Sequence, residues 1–441
     1  MMSFGAIVGV GWITILGQWL SLAGPGGSVI ALLAGAAAML LVANNYAILA
    51  TRDKLSAAGE IGAIESLLGP SAAFIVTASL TLATISIVAF EGVSAGWILV
   101  TILPSLEGSA SYHVMAQEVH SGTVAIAVIG TVIIAALNLR PLKNTARAQS
   151  AIVIIKLGVT ALFCVAGFIG GEARNLLPLV PHSAGAVHAA GAVHGILELL
   201  ATMPLWYAGF HVIAILSNER ADAVELADVG WVMRASILAS CAFYACIVIA
   251  AAYVVPWETL IATPLPAAAA FRTGLSSTMF ANLVLLSGLL GVCSAWIACF
   301  AASVRVLNKL RAQLYGSATS PPQAEVARRA RSATIFITVV AATLTLAGRA
   351  ALVPIVNVAA LCFGLVYLLV SIAAGKLAET FGERLTVVLG ACVAGSMVGY
   401  VIVSAVAARG WMAPEVVVIL LASVIGSLIW LMKRKRIIHG R

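Results

Sequence analysis

The sequence predicts an all-α integral membrane protein with twelve transmembrane helices. Three observations carry that expectation. Hydrophobic residues make up 62% of the 441 positions, and charged residues only 10%; a soluble domain would carry about 25% charged residues. Mean hydropathy is +1.08. The apolar residues also gather into runs near the ~20 residues a helix needs to cross a bilayer.

In order, the expected spans are 3–22, 27–50, 71–104, 121–139, 146–171, 191–216, 231–255, 279–312, 332–348, 351–375, 384–407 and 412–432. The third and eighth are long enough to tilt strongly or to extend beyond the bilayer. The first run has neither a basic segment before it nor a small-residue cleavage site after it. It is therefore expected to remain as a span rather than to act as a cleaved signal peptide.

The basic residues orient these spans. Loops after spans 2, 4, 6, 8 and 10, together with the C-terminal tail, hold 20 of the 25 Lys and Arg residues. They include Arg52, Lys54, Arg140, Lys143, Arg147, Arg220, Arg234, Arg305, Lys309, Arg311, Arg328, Arg329, Arg331, Lys376, Arg384 and Lys433 to Arg436. The opposite side holds Arg174, Arg272, Arg349 and Arg409. Cytoplasmic loops carry the positive excess, so both termini are expected in the cytoplasm, in a cell (inner or plasma) membrane. The net charge of +8 sits in short loops, without a basic surface interleaved with aromatics. The lipid bilayer, and no nucleic acid, is the expected partner.

The seven cysteines, at 164, 241, 246, 293, 299, 362 and 392, all fall in apolar runs and form no CxxC pair. They read as small hydrophobes; no metal site and no cofactor is expected.

Two interrupted spans carry the functional signal. The first opens Gly5-Ala6-Ile7-Val8-Gly9-Val10-Gly11-Trp12. Glycine costs roughly 1 kcal/mol against Ala in a helix interior. The glycines either permit close packing through the small-xxx-small pair Gly5 and Gly9, or mark an unwound stretch. Unwound backbone at membrane depth is tolerated where it lines a cavity, and its freed N–H groups attract a carboxylate. The sixth span reads Met203-Pro204-Leu205-Trp206-Tyr207-Ala208-Gly209-Phe210-His211. Pro204 removes a helix hydrogen bond and Gly209 permits a break. If spans 1–5 and 6–10 are two repeats, these interruptions occupy corresponding positions, which points to a transporter's binding site.

One cation lies inside a span. Lys156 follows Ala151 to Ile155 and precedes Leu157 to Phe163. An intramembrane lysine costs roughly 2.5–3.5 kcal/mol on insertion scales and usually marks an ion or proton pathway. It lies nine residues after Arg147, so about 13 Å along a helix, in the cytoplasmic half of the bilayer.

As an ordered set these segments resemble the amino acid–polyamine–organocation (APC) transporter family. The glycine run 5–12 resembles that family's first-helix motif. Tyr46 to Pro70, with Gly59, resembles its loop after helix 2. Ala146 to Phe163 resembles helix 5, lysine included. Tyr207-Ala208-Gly209-Phe210 and Glu219 resemble helix 6 and its acidic end, and Ser294-Ala295-Trp296 to Arg305 resembles helix 8. The resemblance implies a leucine-transporter-like fold of two inverted five-helix repeats, residues 1–171 and 190–376, with broken helices 1 and 6 at the centre. Two further helices occupy 384–432 and a basic tail 433–441. It also implies the site. A substrate carboxylate would meet the N–H groups of Gly9, Val10 and Gly11. A substrate amine would meet carbonyls near Ile7 and around Leu205 and Ala208, with Gly209 at the break. Trp206 and Tyr207 would shape or gate the pocket, or pack the core.

Lys156 then resembles a fixed substitute for the sodium ion that related folds hold between helices 1, 5 and 8. It either titrates during the cycle or caps carbonyls of broken helix 1 as a permanent charge. Glu91, deep in span 3, either contacts a cationic group or carries a proton, or else bonds a neighbouring helix while protonated. His211 stands where family members have an acidic residue or Asn. His194 and Glu198 are expected near the outer entrance of span 6. Only Met1 to Phe4 precede Gly5, about one turn where half a bilayer calls for about ten residues. Either the native chain starts upstream, or the inner half-helix is short.

The expected function is secondary active transport of an amino acid or related amine, independent of Na⁺ and coupled to protons, with an exchanger of the same fold as the alternative. A membrane enzyme would need a paired-His or Ser/His/Asp constellation. The sequence has no HExxH, and His182, His188 and His194 recur at six-residue spacing in what reads as an outer loop. A channel would call for charge rings or a filter motif.

Overall fold

The computed structural model describes residues 2–52, 59–115, 117–139, 145–181, 188–210, 226–315, 322–421 and 423–424. Its helices are α1 (Met2–Ile7), α2 (Gly11–Thr14), α3 (Leu16–Thr51), α4 (Gly59–Leu68), α5 (Pro70–Ile102), α6 (Ser121–Asn138), α7 (Thr145–Gly170), α8 (His188–Ala201) and α9 (Met203–Trp206). They continue as α10 (Leu226–Val254), α11 (Trp257–Leu260), α12 (Pro266–Gly274), α13 (Thr278–Tyr315), α14 (Gln323–Thr345), α15 (Leu352–Gly375) and α16 (Phe381–Arg409). Among the described residues, eight helical segments are long and apolar enough to cross a membrane.

Where the expected span boundaries and these helices differ, the differences have physical reasons. The 36 residues of α3 contain the end of the first expected span and all of the second. Between them Gly24 adopts φ 65° and ψ 179°, and Pro25 follows. That backbone is open to glycine almost alone, and Pro25 suits the first position of a new helix. The long third and eighth spans appear as α5, 33 residues, and α13, 38 residues. Of the sixth span, the apolar helix among the described residues is Gly191–Ala201. The ninth, α14, opens with Glu325, Arg328, Arg329 and Arg331. Of the twelfth, residues 412–421 and 423–424 are described, helical from 414, and the rest lies outside the described residues.

Local chemistry starts the helices. Pro70 and Pro266 begin α5 and α12, where a missing N–H costs nothing. Thr380 accepts from the Glu383 N–H while the Glu383 side chain accepts from the Thr380 N–H, a capping box at the head of α16. Sequence reading did not anticipate the antiparallel hairpin between α5 and α6, Ser111–Val114 with Gln117–His120. Its residues lack the clean alternation of a buried strand. Val119 alone is buried, against Gly348 before α15, and the Tyr112 hydroxyl donates to the Leu346 carbonyl.

The long helix α5 occupies the centre, packed against α6, α13, α14 and α15, while α3 packs against α8 and α10. One continuous apolar core joins them and surrounds the breaks in the first and sixth spans.

Gly24 yields a stability prediction. A Cβ there would stand 2.8 Å from the Leu179 carbonyl oxygen. Gly24→Ala therefore meets both a forbidden backbone and a clash, at a cost of about 1–3 kcal/mol. It should lower the melting temperature in detergent by several degrees. Gly399→Ala, where nothing lies within 4 Å, should leave that temperature unchanged or raise it, because alanine favours the helix.

Candidate substrate and coupling site

The first span is broken where the glycines predict it. α1 ends at Ile7 and α2 begins at Gly11, leaving Val8 to Val10 non-helical. The two readings of the glycines divide between them. Gly5 serves packing, since a Cβ there would lie 2.5 Å from Val153 of α7. Gly9 lies in the break. Gly11 begins the second half-helix under the Trp206 indole, whose Cζ3 is 2.2 Å from where its Cβ would stand.

The sixth span is broken as well. α8 stops at Ala201, a single turn α9 follows, and residues 207–210 form turns. Gly209 takes φ 115°, a conformation open to glycine and strained for other residues. Pro204 sits within the first turn of α9, so its absent N–H falls where the chain has already left the α8 ladder.

Two buried ionisable side chains flank the first break. The buried Lys156 ammonium donates to the Val8 carbonyl. Gly291 of α13 supports it from behind, its Cβ position 3.3 Å from Nζ. The amine therefore lies between α1, α7 and α13. Glu91 of α5 is 3% exposed. Its Oε1 lies 3.5 Å from the Cβ position of Gly9, and its Oε2 has no hydrogen-bond partner among the described residues.

The freed backbone groups divide unevenly. The Gly9 N–H donates to the Ile7 carbonyl at 3.0 Å. That carbonyl also accepts from the Tyr244 hydroxyl at 2.9 Å, so both of its lone pairs are taken. Among the described residues the Val10 and Gly11 N–H groups meet no backbone acceptor. On the sixth-span side, the Leu205 carbonyl accepts from the Ala208 N–H at 2.9 Å. Tyr207 is fully buried and donates to the Leu32 carbonyl of α3 at 2.9 Å.

Aromatic rings cover Gly11 at the break. Trp206 donates through Nε1 to Thr202 at 3.0 Å and packs edge-on against Trp19 and Phe90, with centroids 5.3 and 6.3 Å away. Above it lies a cleft of about 10 Å³ lined by Gln18, Trp19, Glu198, Thr202 and Asn357, room for roughly one water. Glu198 thus lines this cleft. His194 instead faces Tyr400 of α16, Nδ1 to hydroxyl 2.6 Å.

A second aromatic group lies past the sixth-span break. Phe210 packs against Tyr46 and Tyr367, centroids 5.6 and 5.4 Å away. The Tyr46 hydroxyl donates to the buried Glu60 carboxylate of α4. Burial pushes the Glu60 carboxyl up to about 7, with the Tyr46 bond opposing. A raised carboxyl pKa favours the protonated folded state, so the associated stability is fully present below the unfolded value near 4.5. It is lost as pH rises to about 7, by at most about 3 kcal/mol. Melting temperature should therefore fall between pH 5 and pH 7.5 in the wild type, and Glu60→Gln should flatten that dependence. Equal slopes in the two proteins would rule Glu60 out as its source.

Of the residues singled out by sequence, the fold gathers Ile7, Gly9, Val10, Gly11, Glu91, Lys156 and Trp206 around one break. It commits the Tyr207 hydroxyl elsewhere. His211, Glu219, Arg220, His182 and His188 lie outside the residues whose side chains are described. Sequence reading missed Tyr244, Gly291 and Glu60. The first two are an unremarkable Tyr and Gly in apolar runs. Glu60, a lone acid directly after Gly59, carried a signal in its position.

A sequence model of the amino acid permease family matches residues 1–423. The chain belongs to that family, within the APC superfamily. No match was found among curated proteins. As an amino acid permease with multiple apolar helices, the protein is a multi-pass membrane transporter. Family membership also favours transport over the enzyme alternative.

Proposed function

We propose that this permease is a secondary active transporter of an amino acid or related amine, working by alternating access, independent of Na⁺ and coupled to protons. The observation that carries the reading is the Lys156 ammonium on the Val8 carbonyl at the first break, backed by Gly291. A fixed cation there stabilises the carbonyl end of a broken helix, as a bound metal cation would. The Val10 and Gly11 N–H groups receive the substrate carboxylate. Glu91, buried beside Gly9 and without a hydrogen-bond partner on Oε2 among the described residues, exchanges a proton with the Lys156 region. Trp206 gates the outer side. In this reading the chain forms twelve spans in two inverted five-helix units plus two helices, with both termini cytoplasmic. The two matched breaks and the lopsided distribution of basic residues support it.

The test is uptake of a labelled amino acid panel into proteoliposomes. Uptake of the accepted substrate should proceed at the same rate when choline replaces Na⁺. It should rise as external pH falls and collapse with a protonophore. Strict Na⁺ dependence with a saturable Na⁺ curve contradicts the reading directly.

A further inference from the structure

The end of α16 and the helical residues after it reach the cleft over Trp206 through one chain of polar contacts. Asn357 of α15 is partly buried and lines that cleft with Gln18, Glu198 and Thr202. Its Nδ2 donates to Glu415 Oε1 at 3.0 Å. Glu415 is 1% exposed, and its Oε1 also accepts from Arg409 at 2.6 Å. Replacing a buried ion pair by apolar residues is often neutral or stabilising, so packing alone does not call for this one.

What the pair fixes is the Asn357 amide. A carboxylate held by an arginine only accepts, so the amide must turn its nitrogen towards Glu415. The amide is planar, and its Oδ1 therefore points away from Glu415. Glu198 contributes a second acceptor to the lining of the same cleft. The cleft itself, about 10 Å³, has room for roughly one water, which is also the size of one ammonium or hydroxyl group. It adjoins Trp206 and Ile15. Trp206 covers Gly11, and the Ile15 N–H donates to the Gly11 carbonyl at 2.8 Å, so the cleft borders the first break.

We propose that Asn357 is a specificity-determining residue, selecting substrates whose side chain ends in an N–H or O–H donor, and that Glu415 and Arg409 are positioning residues that hold its amide in the selecting orientation. This selection rests on the transport reading: the substrate carboxylate lies on the Val10 and Gly11 N–H groups, and its side chain passes Trp206 to place the donor between Asn357 and Glu198.

The test is ligand-induced thermal stabilisation of the full chain in detergent with two pairs of probes, threonine against valine and ornithine against norleucine. Within each pair one donor group replaces a methyl of similar size. In the wild type the donor-bearing member of at least one pair should bind at least about tenfold more tightly, because a site built to bond a donor rejects the analogue that lacks it. Asn357→Leu should bring that pair to parity by weakening the donor-bearing member alone. Glu415→Leu should do the same, whereas Glu415→Gln, whose amide oxygen still accepts from Asn357, should keep the preference. Arg409→Gln, at a residue that is half-exposed, should lower the preference without unfolding the protein, and it reads the positioning role if Glu415→Leu does not fold. Parity or no binding in the wild type, or a preference that survives Asn357→Leu, overturns the proposal. Equal weakening of both members in the Glu415 and Arg409 variants marks a merely structural role and overturns the positioning. Proteoliposome uptake of the same probes separates the two readings. A preference in binding without uptake counts against transport and leaves the selection standing, and uptake without preference counts against the selection alone.

Discussion

Lys156→Met is expected to abolish accumulative uptake while the protein still inserts and folds. Methionine keeps the length of the side chain and removes its charge. Lys156 is 4% exposed, so the charged form carries a desolvation penalty that methionine does not. Membrane stability should hold or rise. What is lost is the donor to the Val8 carbonyl, worth about 1–3 kcal/mol when a buried acceptor is left unmade. That loss falls only on conformations in which α1 lies against α7 and α13. The balance between states shifts by about tenfold or more, and cycling suffers more than binding. Substrate-induced thermal stabilisation should remain measurable in the variant while proteoliposome accumulation disappears. If accumulation survives with its pH response intact, Lys156 is not the coupling group. Glu91→Gln then becomes the decisive variant, because Glu91 is a buried carboxylic acid beside Gly9 at the same break.

Gly11→Leu should remove substrate binding altogether. The Cβ alone would sit 2.2 Å from Trp206 Cζ3 and 2.9 Å from Cη2, so the indole must move. Trp206 is held by its bond to Thr202 and its edge contacts with Trp19 and Phe90. Overpacking of this kind costs about 1–3 kcal/mol, and the added side chain also blocks the approach to the Val10 and Gly11 N–H groups. Binding should weaken at least a hundredfold, read as loss of substrate-induced thermal stabilisation and of uptake. Gly158→Leu is the matched control. It adds the same bulk to another transmembrane helix at a position with nothing within 4 Å, and should leave uptake near wild type. Unchanged kinetics in Gly11→Leu would remove the carboxylate site from the first break.

The elements legible in the sequence were those set by local chemistry. Apolar runs must be helical in a bilayer because every backbone N–H and C=O needs an internal partner, so α5, α13 and α15 follow from composition and length. The breaks were legible because glycine and proline act on their own backbone: Gly9 and Gly11 in the first span, Pro204 and Gly209 in the sixth. Lys156 stood out because a cation in an apolar run is costly wherever it points. Tertiary structure decided which of these groups meet. That Lys156 reaches the Val8 carbonyl across 148 positions depends on how α1, α7 and α13 pack, and no local pattern encodes it. The same holds for Tyr244 taking the Ile7 carbonyl that sequence reading assigned to the substrate, and for Tyr207 turning its hydroxyl to Leu32. A tyrosine in an apolar run bonds whichever buried carbonyl lies within reach. Reach is a property of the packed helices, because a buried hydroxyl must find a partner but its own sequence does not say which one.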